Sequence, residues 1–282
     1  MRIIETVGEL REFIGSLKKQ GKSIGFVPTM GALHEGHLTL MREAKIHNDV
    51  VIASIFVNPT QFGPNEDLAR YPRDLAGDSE KAASAGVDAI FHPQPAEMYP
   101  KGYATYVNVL GITDRLCGLS RPGHFQGVAT VVTKLLNLVQ PDRAYFGQKD
   151  AQQVLVIQRM AEDLHIPAEI CMVPIVREAD GLAMSSRNMY LSASERQAAL
   201  VLYQSLVLAQ RLVKEGEKDT EAICRAVKDC IQKEPLANLD YVEIYGYPHL
   251  EELKQLKDKA LLALAVRIGA TRLIDNVILE AN

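Results

Sequence analysis

The chain has 282 residues, 47% of them hydrophobic and 23% charged, with a formal net charge of −4. This is the composition of an ordinary soluble globular protein, long enough for one large domain or for a larger and a smaller one. It excludes a field that would gather nucleic acid, and no stretch approaches the roughly 20 apolar residues of a membrane span.

The N-terminal run MRIIETVGELREF alternates charge with hydrophobe and has no uninterrupted apolar core. A signal peptide is therefore not expected, and a cytoplasmic location is. Short β-branched and aromatic runs then alternate with helical spacing. Strands are predicted at Ser23–Val27, Val50–Val57, Val87–Phe91, Ala144–Phe146 and Ile170–Val176. Helices are predicted at Leu38–Ile46, Leu75–Ala85, Val128–Val139 and Ala151–Leu164. Near-continuous apolar strands separated by helices imply a parallel sheet covered on both faces. The expected fold class is α/β: a Rossmann-like, doubly wound parallel sheet, with ligands at the carboxyl ends of its strands.

The texture changes after about residue 176. Ser192-Ala-Ser-Glu195 reads as a capping box opening a helix to about Lys214, and a second helix is expected from about Thr220 to Lys233. Tyr241–Tyr245, Ala260–Ile268 and Thr271–Ile278 look like antiparallel strands. The expected domains are 1–176, Rossmann-like, and 177–282, a smaller α+β lid domain, joined through the polar segment Arg177–Asn188. Cys117, Cys171, Cys224 and Cys230 are scattered with no C-x-x-C pair, so buried reduced thiols are expected rather than a disulfide or zinc framework.

Four constellations carry chemistry. Pro28-Thr-Met-Gly-Ala-Leu-His-Glu-Gly-His37 follows one predicted strand and leads into a helix. Gly31 and Gly36 let backbone approach a ligand, and the helix N-terminus is expected to offer free N–H groups and a positive dipole end. His34 and His37, three apart, can face one side and donate to phosphate oxygens. The same H-x-x-H spacing also fits a metal pair or a surface turn, although a zinc site would want a third ligand that nothing nearby supplies. In Phe56-Val-Asn-Pro-Thr-Gln-Phe-Gly63, Asn58 and Gln61 suit the hydroxyl or carboxylate of a small polar substrate, or an ordinary turn. In Phe146-Gly-Gln-Lys-Asp150, Gly147 permits close approach, Lys149 suits a phosphate and Asp150 a ribose hydroxyl; Gln152 and Gln153 follow, and a surface loop is the alternative. Met184-Ser-Ser-Arg-Asn188 is either a polyphosphate clamp on a mobile segment or a solvated linker.

Read together, PTMGALHEGH at 28–37, SIFVNPTQF at 54–62, RPGHFQGVATVV at 121–132, YFGQKDAQQ at 145–153 and MSSRN at 184–188 closely resemble the pantoate–β-alanine ligase (pantothenate synthetase) family of the nucleotidyltransferase superfamily. The resemblance covers essentially the whole chain, with no departure at these motifs. It implies ATP-dependent condensation of (R)-pantoate with β-alanine through a pantoyl-adenylate, releasing AMP and pyrophosphate.

By the same resemblance, Met30, Gly31, Ala32, Leu33, His34, Glu35, Gly36 and His37 form the first part of the ATP site, with His37 the proton donor and His34 a second phosphate contact. Gly147, Gln148, Lys149, Asp150, Met184, Ser185, Ser186 and Arg187 are further ATP contacts, and Val176 is a backbone contact to adenine. Gln61 touches both pantoate and β-alanine, Gln153 is the second pantoate ligand, and Asn58 lies close by. Catalysis falls to His34, His37, Lys149, Ser185, Ser186 and Arg187. Arg121 and His124 resemble residues near the substrate entrance or a dimer-side wall, without an assigned role. Mg²⁺ on the triphosphate, no metal held by the protein and a cytoplasmic homodimer are likewise implied. Rival readings fit less well: a nucleotidylyltransferase would need more basic residues for its phosphate substrate, an aminoacyl-tRNA synthetase fragment would need a tRNA surface, and an ATP sensor would bind without turnover.

Overall fold

The computed structural model describes residues 1–64 and 66–281. Contacts divide the chain into two units: Met1–Gln148 with Gln152–Pro174, and Lys149–Ala151 with the chain from Ile175 onward. Among the described residues no helix is long and apolar enough to cross a membrane.

In chain order, the elements up to Pro174 are β1 (Arg2–Ile4), α1 (Val7–Lys19), β2 (Ile24–Thr29), α2 (Glu35–His47), β3 (Val50–Ile55), α3 (Leu75–Ser84), β4 (Ala89–Phe91), α4 (Pro95–Met98), α5 (Leu116–Ser120), α6 (His124–Val139), β5 (Arg143–Gly147), α7 (Ala151–Asp163) and β6 (Glu169–Val173). Their strands form a parallel sheet in the order β1-β4-β3-β2-β5-β6. The expected Rossmann-like sheet is therefore present. The chain leaves β2 for β3 on one side and later returns to place β5 on the other. That reversal is the switch point at which open α/β sheets bind ligands. Three of the four sequence constellations begin at the carboxyl ends of β2, β3 and β5.

The central strands are mostly apolar because such strands are buried on both faces of the sheet; five of the six β2 residues are buried. Boundaries differ from expectation for local reasons. β6 stops at Val173 and not at Val176 because Pro174 has no N–H to continue the ladder. α2 begins at Glu35 and not at Leu38 because His34 caps it. The short edge strand β1 and α1, opened by a Thr6–Glu9 capping box, are additional elements.

The second unit carries α8 (Ala193–Ala198), α9 (Leu200–Lys214), α10 (Thr220–Ile231), β7 (Ala237–Gly246), β8 (Lys259–Ile268) and β9 (Thr271–Glu280). The strands form an antiparallel sheet in the order β7-β8-β9, as expected. The Ser192–Glu195 capping box is present, but it opens α8 alone, and Ala199 separates α8 from α9. Leu202, Leu206 and Ala209 of α9 and Ile223 and Val227 of α10 share a core with Leu262, Leu264 and Leu273 of the sheet. All four cysteines are thiols; Cys117 is buried and the other three are half-buried. Burial pushes the Cys171 and Cys224 thiols up to about 11, which keeps them protonated and unreactive.

One clamp in the first unit fixes the turn after β3 against α6. Gly127 is required there, because a Cβ would run into the Thr60 carbonyl. Its own carbonyl accepts from Asn58 Nδ2 at 3.2 Å. At the head of α6, His124 Nδ1 lies 2.9 Å from the Gln61 carbonyl oxygen, while Arg121 Nη1 lies 3.0 Å from His124 Nε2. Arg121 also forks onto Glu66, with Nε–Oε1 and Nη2–Oε2 both at 2.6 Å. Burial alone would push the Glu66 carboxyl up, but the Arg121 guanidinium outweighs it and holds the group below its usual range. A depressed carboxylate contributes stability that is present above its unfolded value of about 4.3 and is lost as pH falls through the lower folded value. Glu66→Gln is therefore expected to destabilise the protein at pH 7 by about 1–3 kcal/mol, the range for leaving a half-buried charged donor without its partner. In urea unfolding the gap between variant and wild type should shrink at about pH 3; a gap as wide there as at pH 7 would contradict the assignment.

Candidate active site

The loop between β2 and α2 is built by internal acceptors. Gly31 N donates to Thr29 Oγ1 at 3.2 Å, Ala32 N to Asp78 Oδ2 at 2.8 Å and Leu33 N to Asp78 Oδ1 at 2.7 Å. His34 N donates to His37 Nδ1 at 3.3 Å, and Gly36 N to His34 Nδ1 at 3.2 Å. The expectation of free N–H groups here is narrowed: the loop amides of Ala32 and Leu33 are taken by the buried Asp78 carboxylate, and those of His34 and Gly36 by the two imidazoles.

The consequence reverses the usual picture of a phosphate loop. Each imidazole accepts a backbone N–H at Nδ1, so each neutral ring carries its proton on Nε2. The rings lie 4.1 Å apart between centroids. The same bonds disfavour the metal-pair alternative at Nδ1. Among the described residues, no group of three or more His, Cys, Asp or Glu side chains could hold a metal ion.

Gly31 (φ 84°) and Ala32 (φ 50°) are consecutive left-handed residues. Glycine is needed at 31, where a Cβ would sit 2.9 Å from Asp78 Oδ2. Ala32 bears a strain of roughly 1–2 kcal/mol, held in place by the two Asp78 bonds. Lys81, one turn along α3, adds a bond from Nζ to the Leu33 carbonyl at 2.9 Å. Leu33 thus has both backbone polar groups engaged and its side chain in the core. Glu35 is exposed and pairs with Arg42.

At the end of β3, Asn58 is 1% exposed and its carboxamide is fully used. Nδ2 donates to Gln61 Oε1 at 3.1 Å and to the Gly127 carbonyl; Oδ1 accepts from Tyr99 Oη at 2.8 Å and Thr60 Oγ1 at 3.0 Å. Burial pushes the Tyr99 phenol up, so it stays a donor. Asn58, expected close to pantoate, is buried, and its donation to Oε1 orients Gln61. Gln61 Nε2 in turn reaches Met30 Sδ at 3.0 Å. That contact joins the β2 and β3 constellations directly.

Gly147 and Gln148 end the β5 constellation half-buried. Gln152 is buried and ties down the segment before and into α5, accepting from Cys117 N at 2.9 Å and donating to the Arg115 carbonyl at 2.7 Å. Gln153 is half-buried in the first turn of α7.

In the second unit Lys149 Nζ lies 3.6 Å from the exposed Asp150 carboxylate. Val176 and Met184 are brought together, with Met184 N donating to the Val176 carbonyl at 3.0 Å. Ser185 Oγ accepts from Arg187 N at 3.2 Å, capping a short 3-10 turn over Ser186–Tyr190. Its own proton is left to be donated elsewhere. Asn188 Nδ2 secures the turn through the Ala183 carbonyl at 3.1 Å and Glu178 Oε1 at 2.9 Å.

Sequence reasoning missed Asp78, Lys81 and Tyr99. For Asp78 there was a signal: it sits on the apolar side of a predicted helix, three residues after Leu75 and four before Ala82, where a carboxylate needs a reason to be.

Comparison with known proteins agrees with this geometry. The family model for pantoate–β-alanine ligase matches residues 2–278. A pantothenate synthetase of Pelotomaculum thermopropionicum is 62% identical over 279 residues, covering 99% of each chain. The crystal structure of pantothenate synthetase from Thermus thermophilus superposes with a TM-score of 0.93 at 48% identity, covering 98% of this chain and 99% of that one. The pantoate–β-alanine ligase of Francisella tularensis, solved in complex with beta-gamma ATP and β-alanine, gives 0.80 at 38% identity, covering 99% and 97%. With the matched motifs standing at the carboxyl ends of β2, β3 and β5, and the likeness running through nearly all of its length, the chain belongs to the pantoate–β-alanine ligase family.

Proposed function

We propose that the chain condenses (R)-pantoate with β-alanine in two steps on one ATP, and that the contact between Gln61 and Met30 is the observation that carries this reading. It sets an uncharged amide, suited to a hydroxy acid, beside the loop whose two imidazoles offer Nε2–H donors. The family assignment and the ATP and β-alanine of the Francisella tularensis complex support the substrates.

A carboxylate does not acylate an amine in neutral water, because the anion repels the nucleophile and oxide cannot leave. Adenylation removes both obstacles. The pantoate carboxylate, held by Gln61 and Gln153 with Asn58 behind Gln61, attacks the α-phosphorus of ATP, and pyrophosphate departs. His34 and His37 donate through Nε2 to the phosphoryl oxygens, with His37 the proton donor, while Lys149, Ser185, Ser186 and Arg187 spread the growing charge. The backbone from Met30 to Gly36, with Glu35 at its exposed edge, shapes the loop. Gly147, Gln148, Asp150, Val176 and Met184 complete the nucleotide contacts. Mg²⁺ would be carried by the triphosphate, where it would supply charge neutralisation. In the second step the neutral β-alanine amine attacks the mixed anhydride and AMP leaves. The lid role expected of residues 177–282 belongs to this proposal, since the anhydride must be kept from water. So do the homodimer and the cytoplasmic location.

His37→Ala should lower pantoate-dependent ATP–pyrophosphate exchange by about 10²–10³, the loss seen for one transition-state donor. Near-normal exchange would remove His37 from the mechanism. Gln61→Ala should weaken pantoate binding about tenfold, corresponding to one neutral hydrogen bond or slightly more, and leave ATP binding intact. Equilibrium dialysis checks this directly, and weakened ATP binding with normal pantoate binding would show the substrate side to be misplaced.

A further inference from the structure

Two successive polar residues of β9, Asp275 and Asn276, are both buried, 2% and 3% exposed, in a strand whose other buried positions are apolar or at its start. Neighbours in a strand point to opposite faces. Asp275 therefore shares the face of Leu273 and Leu279, which join the core, while Asn276 lies on the other.

The Asp275 carboxylate receives both arms of Arg177, with Nη1–Oδ2 at 2.6 Å and Nη2–Oδ1 at 3.0 Å. Arg177 rests over the Tyr203 ring at 4.8 Å and gives a further bond from Nη1 to the Gly181 carbonyl at 3.0 Å. It thereby anchors the hairpin closed by the Arg177–Ala183 bridge, which runs straight into Met184–Arg187. On the opposite face, Asn276 Nδ2 donates to the Lys149 carbonyl at 3.0 Å, and Lys149–Ala151 belong to this same unit.

A buried ion pair commonly stabilises a fold no better than apolar side chains of equal volume. Its best-attested use is to fix register. Here one residue of β9 holds the base of the serine–arginine turn, and the next holds the backbone of the lysine. We infer that Asp275 and Asn276 are positioning residues that set the distance between Lys149 and the Met184–Arg187 turn, matching both to one triphosphate. This rests on the nucleotide reading of Lys149 and that turn given above.

The test is a double-mutant cycle in the full chain, read as KM for ATP, KM for pantoate and kcat in pyrophosphate exchange, alongside Tm. Asn276→Ala should raise the KM for ATP about tenfold, leave the KM for pantoate unchanged and shift Tm by only a few degrees. In a Lys149→Ala background the same change should add less than threefold, because the group it positions has gone. Arg177→Lys, which keeps the charge but loses the fork, should show the same ATP-selective rise and serves if Asn276→Ala does not fold. A tenfold effect that persists undiminished in the Lys149→Ala background overturns the inference, as does a loss shared equally by ATP and pantoate. If Lys149→Ala itself leaves the KM for ATP unchanged, the nucleotide reading of Lys149 fails; if Lys149→Ala impairs ATP while Asn276→Ala and Arg177→Lys are silent, only the positioning claim fails.

Discussion

The Asp78 carboxylate, with one oxygen on each of two adjacent amides, is the interaction on which the first half of the site depends. It holds Ala32 and Leu33 in a loop that begins with two left-handed residues, one of them bearing a side chain. With those amides engaged, the loop is not an open cradle of N–H groups. The His34 and Gly36 amides likewise point at the protein. In the proposed chemistry electrophilic assistance passes from backbone to imidazole: His34 and His37 each accept a backbone N–H at Nδ1, and each would turn Nε2 to the ligand.

The turn after β3 is organised by the same logic. Asn58 is saturated, Gly127 leaves room for the backbone, and the Arg121–Glu66 pair braces His124 against the Gln61 carbonyl. Gln61 is the one member of this group whose amide reaches toward the β2 loop. In the proposed function Gln61 touches substrate, and a packed, hydrogen-bonded shell of neighbours gives such a group its precision. Since β2 and β3 are adjacent parallel strands, their carboxyl ends bring the two loops into contact without any long excursion of the chain.

Much of this was legible in the sequence, and the parts that were not share a cause. The central strands and the antiparallel C-terminal strands could be read because apolar runs between turn signals have few other solutions. The three-residue β1 could not, having one buried residue to show for its length. The engagement of the loop amides ahead of α2 was hidden for a long-range reason: the acceptor of Ala32 N and Leu33 N, Asp78, lies more than 40 residues away along the chain. Histidine at an N-cap also reads as a donor in sequence, when here its nearer nitrogen accepts. Asn58 shows a different limit. A carboxamide looks the same as ligand or as support until its burial is known. Asp275 and Asn276 were visible as a polar pair within a predicted strand, yet nothing local told that one would hold the Arg177 guanidinium and the next the Lys149 carbonyl.

In the proposed chemistry, setting imidazole donors beside the cations Lys149 and Arg187 has a kinetic rationale. The part of a cation's attraction that acts on bound ATP and the transition state alike lowers KM without raising kcat. An Nε2–H donor interacts weakly with the resting phosphate and more strongly as negative charge accumulates on the oxygens of the five-coordinate phosphorus, so its contribution falls mainly on the barrier. Fixing Nδ1 with a backbone N–H preserves that behaviour. In that chemistry the cap of α2 and the donors to the phosphoryl oxygens are the same two side chains, and a substitution that keeps one role while losing the other would separate folding of the loop from chemistry at it.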